Sequence, residues 1–264
     1  MAARALSRAD RIRKLLKTGI ETGDPTAVDV INPDKYIQHN PQTTTGREGL
    51  KALFAKISKT NPRVNIVRAF EDGDYVFGHT EYDFSTRRIG FEVFRFEGEF
   101  TVEHWDNIQP RQGPNAAGHS MVDGPTEAGD PGLTEGSRAL AREFIESVRI
   151  GGNTQRLDEF VSADAYTEHH PHATADGIGA LRDSIEGAAA GTIDPESGPV
   201  IYEKVHRVLA CGCFALTVTE GTRGGKTSAF YDLFRVEGKR IVEHWDTIEA
   251  VAPPEEWKND NGKF

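Results

Sequence analysis

The stretch RVEGKRIVEHWDTI, residues 235–248, repeats RFEGEFTVEHWDNI of residues 95–108 with 9 of 14 positions identical. Further upstream, YIQHNP from Tyr36 and YTEHHP from Tyr166 recur in the same order. The first pair is offset by 140 residues and the second by 130, and a longer loop at residues 188–198 accounts for most of the difference. Similar segments in the same order predict a tandem duplication of one domain.

The segment between the repeats is rich in Gly, Pro and small residues and has no apolar period, which predicts a linker. The expected organisation is a first domain at residues 1–110, a linker at 111–133, a second domain at 134–250 and a tail at 251–264. The tail is short and acidic, so we expect it to be mobile.

Composition limits the possible partners. The chain has 264 residues and a formal net charge of −10, so it lacks the clustered positive charge that binds nucleic acids or anionic membranes. It has no apolar run long enough for a membrane helix and no recognisable signal peptide, which predicts a cytoplasmic protein. Cys211 and Cys213 are too close to close a long loop, and they supply half a zinc site at most.

The same order of elements is predicted in each half: an amphipathic helix, a short helix, a short Tyr-x-x-His strand, a third helix and four strands. The predicted first helices are 5–19 and 137–151, with Gly19 and Gly151 as possible caps. The predicted long strands are 63–71, 75–84, 88–96 and 99–109, then 200–209, 213–220, 226–236 and 239–249. This order predicts an α+β fold, two cone-shaped barrels in tandem, each with a small-molecule cavity.

The last strand of each half carries the candidate chemistry. Alternate residues of a strand share a face, so His104 lies with Asp106 and His244 with Asp246. An acid and an imidazole among aliphatic residues suit general acid–base catalysis, because an apolar pocket raises the pKa of a carboxyl group. The alternative interpretation is a polar patch facing solvent, with the tryptophan face packed inside.

The preceding strand adds Glu92 in the first half and Asp232 in the second. A three-residue hairpin loop at 237–239 would place Asp232 directly opposite His244, and the equivalent pair is Glu92 with His104. A carboxylate beside an imidazole fixes its tautomer or holds it protonated. A shift of one residue in register would separate the pairs.

Further residues are candidates for substrate contact. The predicted substrate-binding set is His39, His79, His169, Phe94 and Phe234. Repetition places His39 and His169 at the pocket rim, whereas His79 has Thr219 as its counterpart, so the two pockets are expected to differ. For His170 and His172, capping of the following helix is an equally good interpretation.

Cofactors are not predicted. Several His and Asp residues could ligate zinc or iron, but their spacing matches no compact ligand motif, so no metal is expected. The sequence also has no glycine-rich nucleotide-binding motif and no Ser or Cys nucleophile motif.

The YIQHNP, DLFRVEGK (Asp232–Lys239) and IVEHWD segments resemble the SnoaL-like polyketide cyclases of the nuclear transport factor 2 (NTF2)-like superfamily. Within that superfamily they more closely resemble the group described as predicted SnoaL-like aldol-condensation enzymes. The resemblance covers both halves and implies the cone-shaped α+β barrel. It also implies cofactor-free aldol chemistry with Asp106 and Asp246 as acid/base residues. Glu92 departs from the family pattern, which has Asp there.

The leading hypothesis is a cofactor-independent acid/base enzyme, an aldol cyclase, lyase or isomerase, acting on a small carbonyl or polyketide-like compound. The expected catalytic residues are Asp106, His104, Glu92, Asp246, His244 and Asp232. An epoxide hydrolase or cyclase of the same fold and a non-catalytic small-molecule-binding protein are the alternatives. The expected partner is a small-molecule substrate. The two domains are expected to pair within one chain, and further homo-oligomerisation is left open.

Overall fold

A computed structural model describes residues 6–193 and 198–264. Residues 1–5, where the first helix was predicted to begin, and 194–197 of the longer loop lie outside the described residues. The chain divides into two compact units. Unit 1 comprises Met1–Pro110 together with Ala252–Phe264, and unit 2 comprises Arg111–Val251.

Unit 1 contains two helices followed by a four-strand meander, with a very short strand between the helices. Its helices are α1 (Arg8–Thr22) and α2 (Arg47–Ile57), with a 3-10 helix at Pro25–Val30 between them. Its strands are β1 (Ile37–Gln38), β2 (Arg63–Asp72), β3 (Tyr75–Asp83), β4 (Arg87–Glu97) and β5 (Phe100–Pro110).

Unit 2 repeats this order. Its helices are α3 (Thr134–Phe144), which continues as a π-helix at Ile145–Ile150, α4 (Leu157–Phe160) and α5 (Ile178–Ala190). Its strands are β6 (Thr167–Glu168), β7 (Val200–Cys211), β8 (Phe214–Arg223), β9 (Lys226–Glu237) and β10 (Arg240–Ala250).

The two sheets have the same topology. Their strand orders are β1-β5-β4-β3-β2 and β6-β10-β9-β8-β7. In each, the very short strand runs parallel to the last strand and the other pairs are antiparallel. One face of each sheet packs against the helices of its own unit in a hydrophobic core. The predicted α+β fold of two tandem units is therefore confirmed.

The hairpin before the last strand differs from the prediction. Gly238 and Lys239 alone form the loop, both with positive φ (55° and 61°), so β9 ends at Glu237 and β10 begins at Arg240. A β-bulge between Ile241 and Glu243 then shifts the register. As a result His244 pairs with Phe234, and Asp232 pairs with Asp246 instead of His244. A bulge inserts one residue on one strand, and no repeating pattern in the sequence marks it.

Helix α1 begins and ends three residues later than predicted. The Ser7 side chain caps its start by accepting a hydrogen bond from the Asp10 amide, and Gly23 ends it in the left-handed conformation. Gly19 is therefore not the cap. It is buried inside the helix, where a Cβ atom would lie 2.5 Å from the Phe54 ring of α2, so this glycine permits close helix packing.

The predicted linker and tail each pack on one unit. In unit 2 the Asn115 side chain donates to the Glu168 carbonyl (2.7 Å), and the Trp245 indole donates to the Asp123 carbonyl (3.0 Å). In unit 1 the Lys258 amide donates to the Pro41 carbonyl (2.8 Å). Within residues 6–193 and 198–264, no helix has the length and apolarity required to cross a bilayer.

Candidate active sites

A cavity lies between the sheet and the helices of unit 1 and encloses about 670 Å³, part of it open to solvent. Leu16 and Ile20 of α1 and Phe54 of α2 line its helical side. His104 and Asp106 of β5 line its sheet side. The predicted polar face of the last strand therefore borders an apolar cavity, and the alternative of a solvent-facing patch is wrong for unit 1.

The His104 ring is held between two polar side chains. Its Nε2 atom lies 2.7 Å from Glu92 Oε2 and its Nδ1 atom 2.9 Å from Gln38 Oε1. Phe94 stacks on the ring at 4.3 Å between centroids. Glu92 also accepts a hydrogen bond of 2.6 Å from the Tyr82 hydroxyl. Both nitrogens of His104 are thus engaged, which fixes the ring in place.

Asp106 lies beside this network. One carboxylate oxygen accepts a hydrogen bond of 2.7 Å from the Asn40 side chain, and the other is 3.5 Å from the Lys263 ammonium. Tyr36 also lines the cavity, and its hydroxyl is buried with no hydrogen-bond partner among the described residues. Buried polar atoms without a protein partner are rare and call for an explanation.

Burial raises the pKa of two groups in unit 1, Glu92 and Tyr36. It raises the pKa of Glu92, with a further contribution from the Asp106 charge, although His104 and Tyr82 act in the opposite direction. Burial, together with the charges of Glu92 and Asp106, raises the pKa of Tyr36 well above its usual value. Tyr36 is therefore a persistent hydroxyl donor at neutral pH, while Glu92 can exchange a proton closer to neutrality than an exposed glutamate.

Unit 2 has an equivalent cavity of about 800 Å³, again partly open to solvent. His244 Nε2 lies 3.0 Å from Asp232 Oδ1, and its Nδ1 lies 2.9 Å from Glu168 Oε1. Burial disfavours the charged ring, but Glu168 and Asp232 outweigh it and raise the pKa of His244 to about 10. The ring is therefore an imidazolium at neutral pH.

Asp246 has a different partner from Asp106. His170 Nδ1 lies 2.8 and 2.9 Å from its two oxygens. Burial would raise the pKa of Asp246, but His170, His244 and Arg149 lower it to about 2. The expectation that the apolar pocket raises the pKa of this acid is therefore wrong for unit 2, because the cations outweigh desolvation.

The two units supply the tyrosine hydroxyl of the site from different strands. In unit 1, Tyr82 of β3 pairs with Val64 of β2. At the corresponding pair of unit 2, Tyr202 is on β7 and faces Gly221 on β8. Tyr202 donates to Asp232 (3.1 Å) and accepts from Arg149 (2.9 Å). The contact between a tyrosine hydroxyl and the carboxylate is therefore present in both units, although the tyrosine lies on a different strand in each.

The contacts between carboxylate and imidazole were predicted correctly, although the register of the two strands was not. Residues diagonal to each other on adjacent strands still share a face, so Glu92 reaches His104 and Asp232 reaches His244. Phe94 and Phe234 also line the cavities as predicted.

His39 and His169 do not line the cavities, which corrects their predicted place at the rim. They stack on Trp105 and Trp245, on the opposite face of the last strand, with ring centroids 4.6 and 4.7 Å apart. The parallel pairing of β1 with β5 sets Gln38, not His39, beside His104.

Each of these histidines bridges a glutamate and a backbone carbonyl. His39 contacts Glu103 (3.0 Å) and the Gly262 carbonyl (2.8 Å). His169 contacts Glu243 (2.9 Å) and the Ser120 carbonyl (2.7 Å). His39 therefore contacts the tail (residues 252–264), and His169 contacts the segment that was predicted to be a linker (residues 111–133).

His79 also lies away from the cavity of unit 1. It is buried, stacks on Phe91 at 4.5 Å, and its Nδ1 atom is 3.0 Å from Arg68. Its equivalent in unit 2 is Val218 instead of Thr219, because His79 pairs with Phe91 and Val218 pairs with Tyr231.

The sequence interpretation missed several cavity residues. They are Tyr36, Gln38, Asn40, Tyr166 and Glu168; His170, whose role was left open, also lines the second cavity. The alternation of side chains along a strand would have found them, because Tyr36, Gln38 and Asn40 are spaced by two and His39 is out of phase. The repeated histidine, His39 and His169, is more conspicuous in the sequence, but it lies on the tryptophan side of the last strand.

Glu92, His104 and Asp106 could also hold a metal ion, since their ligand atoms lie within 4.8 Å of one another. Binding through His104 would require it to give up Glu92 or Gln38, because both ring nitrogens are already engaged. The observed contacts correspond to a proton-sharing network.

No family model and no curated protein sequence matches the chain. Among solved structures, TsrD from Streptomyces laurentii is 19% identical, over 40% of this chain and 92% of its own, with a TM-score of 0.34. A candidate ketosteroid isomerase from Kribbella flavida is 21% identical, over 46% of this chain and 84% of its own (TM-score 0.37). IdmH, a candidate polyketide cyclase from Streptomyces antibioticus, is 19% identical, over 38% and 90% (TM-score 0.33). The element order and sheet topology define two tandem α+β units of the same topology.

Proposed function

We propose that the chain is a cofactor-independent acid–base enzyme that removes a proton next to the carbonyl group of a small compound, and that unit 1 is the stronger catalyst. The observation that carries this proposal is that a carboxylate, Asp106, and a buried tyrosine hydroxyl, Tyr36, both lie on the wall of the same apolar cavity. An aldol cyclisation, a lyase reaction and an isomerisation all begin with this step.

Asp106 is the proposed base of unit 1. It takes the proton from the α-carbon, and the electron pair of that C–H bond forms the enolate. The Asn40 hydrogen bond and the Lys263 ammonium orient the carboxylate. In an aldol closure the enolate carbon then attacks a second carbonyl carbon, and the resulting alkoxide takes the proton back from Asp106.

Tyr36 is the proposed donor to the enolate oxygen. Its hydroxyl makes no protein hydrogen bond in the described part of the chain, and its raised pKa keeps it protonated. A donor placed in a dry site before the reaction stabilises developing negative charge without reorganisation. His104 cannot fill this role directly, because Gln38 and Glu92 occupy both of its nitrogens. It instead fixes Glu92 in the network.

Unit 2 is the weaker base for two reasons. A carboxylate whose pKa is about 2, as at Asp246, accepts a proton poorly at neutral pH. The tyrosine equivalent to Tyr36, Tyr166, donates to Glu168 and so is already engaged. Unit 2 therefore suits binding or a more acidic substrate better than proton removal from a simple ketone.

The test is incorporation of deuterium from D2O into a panel of cyclic ketones and β-keto esters, read by mass spectrometry. We expect wild-type protein to catalyse exchange and Asp106→Asn to lower the rate by roughly 10²- to 10⁴-fold. Asp246→Asn is the matched variant and should cost less. A folded Asp106→Asn, Asp246→Asn double variant with full turnover would falsify the proposal.

A second measurement separates the remaining chemistries. Incorporation of labelled oxygen from solvent into product would indicate epoxide hydrolysis, whereas proton removal leaves the oxygen count unchanged. Ligand binding without deuterium or oxygen incorporation would indicate a binding protein.

A further inference from the structure

The closing segment, residues 252–264, belongs to unit 1. The Asn259 side chain donates to the carbonyls of Asn40 (2.8 Å) and Thr43 (2.9 Å). The Asn261 side chain donates to the Gln38 carbonyl (2.9 Å). These contacts go to the backbone of Gln38, Asn40 and Thr43, which all line the cavity, so the closing segment is bound at the edge of the site.

The segment also brings a cation to the candidate base. Lys263 is only 3% exposed, and its ammonium lies 3.5 Å from Asp106. Burying a lysine is costly unless its charge is paired. The cost is offset here because Asp106 is itself buried and needs a counter-charge.

The two sites differ in the charge of the side chain that contacts the aspartate. At Asp246 of unit 2 the neighbour is His170, a titratable base, whereas the equivalent neighbour of Asp106 is Asn40, which carries no charge. Unit 2 brings three carboxyl groups and three basic groups together: Asp232, Glu168, Asp246, His244, His170 and Arg149. Unit 1 brings two of each together only if the closing segment is counted: Glu92, Asp106, His104 and Lys263.

We propose that the closing segment completes the site of unit 1, and that Lys263 is a positioning residue that holds Asp106 as an oriented carboxylate. The role of Lys263 in catalysis rests on the proposed function, whereas its placement at Asp106 does not. The histidine that bridges to Gly262 anchors the segment on the other face of the strand.

The placement is tested by acetylating the intact protein with acetic anhydride and mapping the modified lysines by mass spectrometry. Lys258 is the internal control, because it lies in the same segment and is exposed. We expect Lys263 to react at least about tenfold more slowly than Lys258, since its amine is reachable only after local opening. Asp106→Asn should speed the reaction of Lys263 and leave that of Lys258 unchanged. Equal reactivity of the two lysines in wild-type protein would overturn the proposal.

The positioning role of Lys263 is tested by deuterium exchange into ketones. The Asp246→Asn background is used, in which unit 1 acts alone. Lys263→Met should lower the rate by roughly 10- to 100-fold through misplacement of Asp106. Lys263→Arg should restore part of it, and Lys258→Met should match the parent. An unchanged rate in Lys263→Met refutes the positioning role. If the parent itself catalyses no exchange, the proposed function fails, and the acetylation result still decides whether the closing segment completes the site.

Discussion

Tyr36 is the residue whose proposed role is tested most directly by a single substitution. Its hydroxyl has no hydrogen-bond partner among the described residues, so replacing Tyr36 with Phe removes no protein contact of that oxygen. We expect Tyr36→Phe to lower the rate of deuterium exchange by about 10²- to 10³-fold, the usual cost of one oxyanion donor. Thermal unfolding should be unchanged or shift upward, because a buried polar atom without a partner is lost.

The matched control is Tyr82→Phe, which removes the hydrogen bond to Glu92. That variant should be destabilised by about 1–2 kcal/mol, since it leaves a buried carboxyl group with one donor fewer. If Tyr36→Phe loses stability and keeps its activity, the assigned roles of the two tyrosines are reversed.

His244 makes the stability of unit 2 depend on pH in the alkaline range. Its pKa in the folded chain is about 10, above the value of about 6.5 in the unfolded chain. The stabilisation from its charged form is therefore complete below about pH 6.5 and is lost as the pH rises through 10. We expect His244→Gln to lower the free energy of unfolding by on the order of 2–4 kcal/mol at pH 6. The difference from wild type should shrink by pH 10, as measured by urea unfolding. A difference that is constant with pH would contradict the charged ring.

For individual residues, the sequence predicts which strands carry the candidate catalytic side chains, but it does not predict every contact that they make. The repeat identified His104, Asp106 and their counterparts, because identical residues at alternate positions show the shared face. It could not show that Lys263 lies at Asp106, since a contact across 157 residues of chain leaves no local pattern. The raised pKa expected for Asp246 was also wrong, because the pKa depends on cations from the loop after β6, from β10 and from the π-helix that follows α3.

Among the elements, α1 and α2 illustrate a packing constraint that propensity alone misses. Gly19 lies inside α1, where alanine would ordinarily be favoured by about 1 kcal/mol. Its Cβ would lie 2.5 Å from the Phe54 ring, so we expect Gly19→Ala to destabilise the chain by about 1–3 kcal/mol through overpacking. Gly136 in α3 is the control, because it is exposed and has no neighbour within 4 Å of the added atom.

Gly136→Ala should therefore stabilise the chain by about 0.5 kcal/mol. Chemical unfolding of both variants checks the pair, and two changes of the same sign would refute the packing argument. The sequence interpretation assigned Gly19 to a cap because a glycine near a helix end usually serves that purpose. The cap is Gly23, one turn later, and the two glycines cannot be distinguished without the position of Phe54.

For the whole molecule, the repeated layout supports a proposal about assembly. We propose that the protein is a monomer, with both units of the tandem in one molecule. Light scattering at micromolar concentration should then give the mass of one chain, 29.1 kDa. A stable mass of twice that value would indicate that pairing occurs between chains.

The two cavities of one chain are expected to select different substrates. Leu16, Ile20 and Phe54 line the helical side of the first cavity, whereas Arg149 enters the second from the end of the first helix of unit 2. A guanidinium on a cavity wall attracts a carboxylate, so unit 2 should prefer β-keto acids and unit 1 neutral ketones.

In Asp246→Asn, exchange into neutral ketones should persist while exchange into β-keto acids falls. In Asp106→Asn the pattern should invert. Arg149→Met should raise the KM of unit 2 for the acids about tenfold, the effect of losing about 1.4 kcal/mol of binding, and leave unit 1 unaffected. Identical substrate profiles in the two single variants would show that the cavities, despite their different linings, recognise the same compounds.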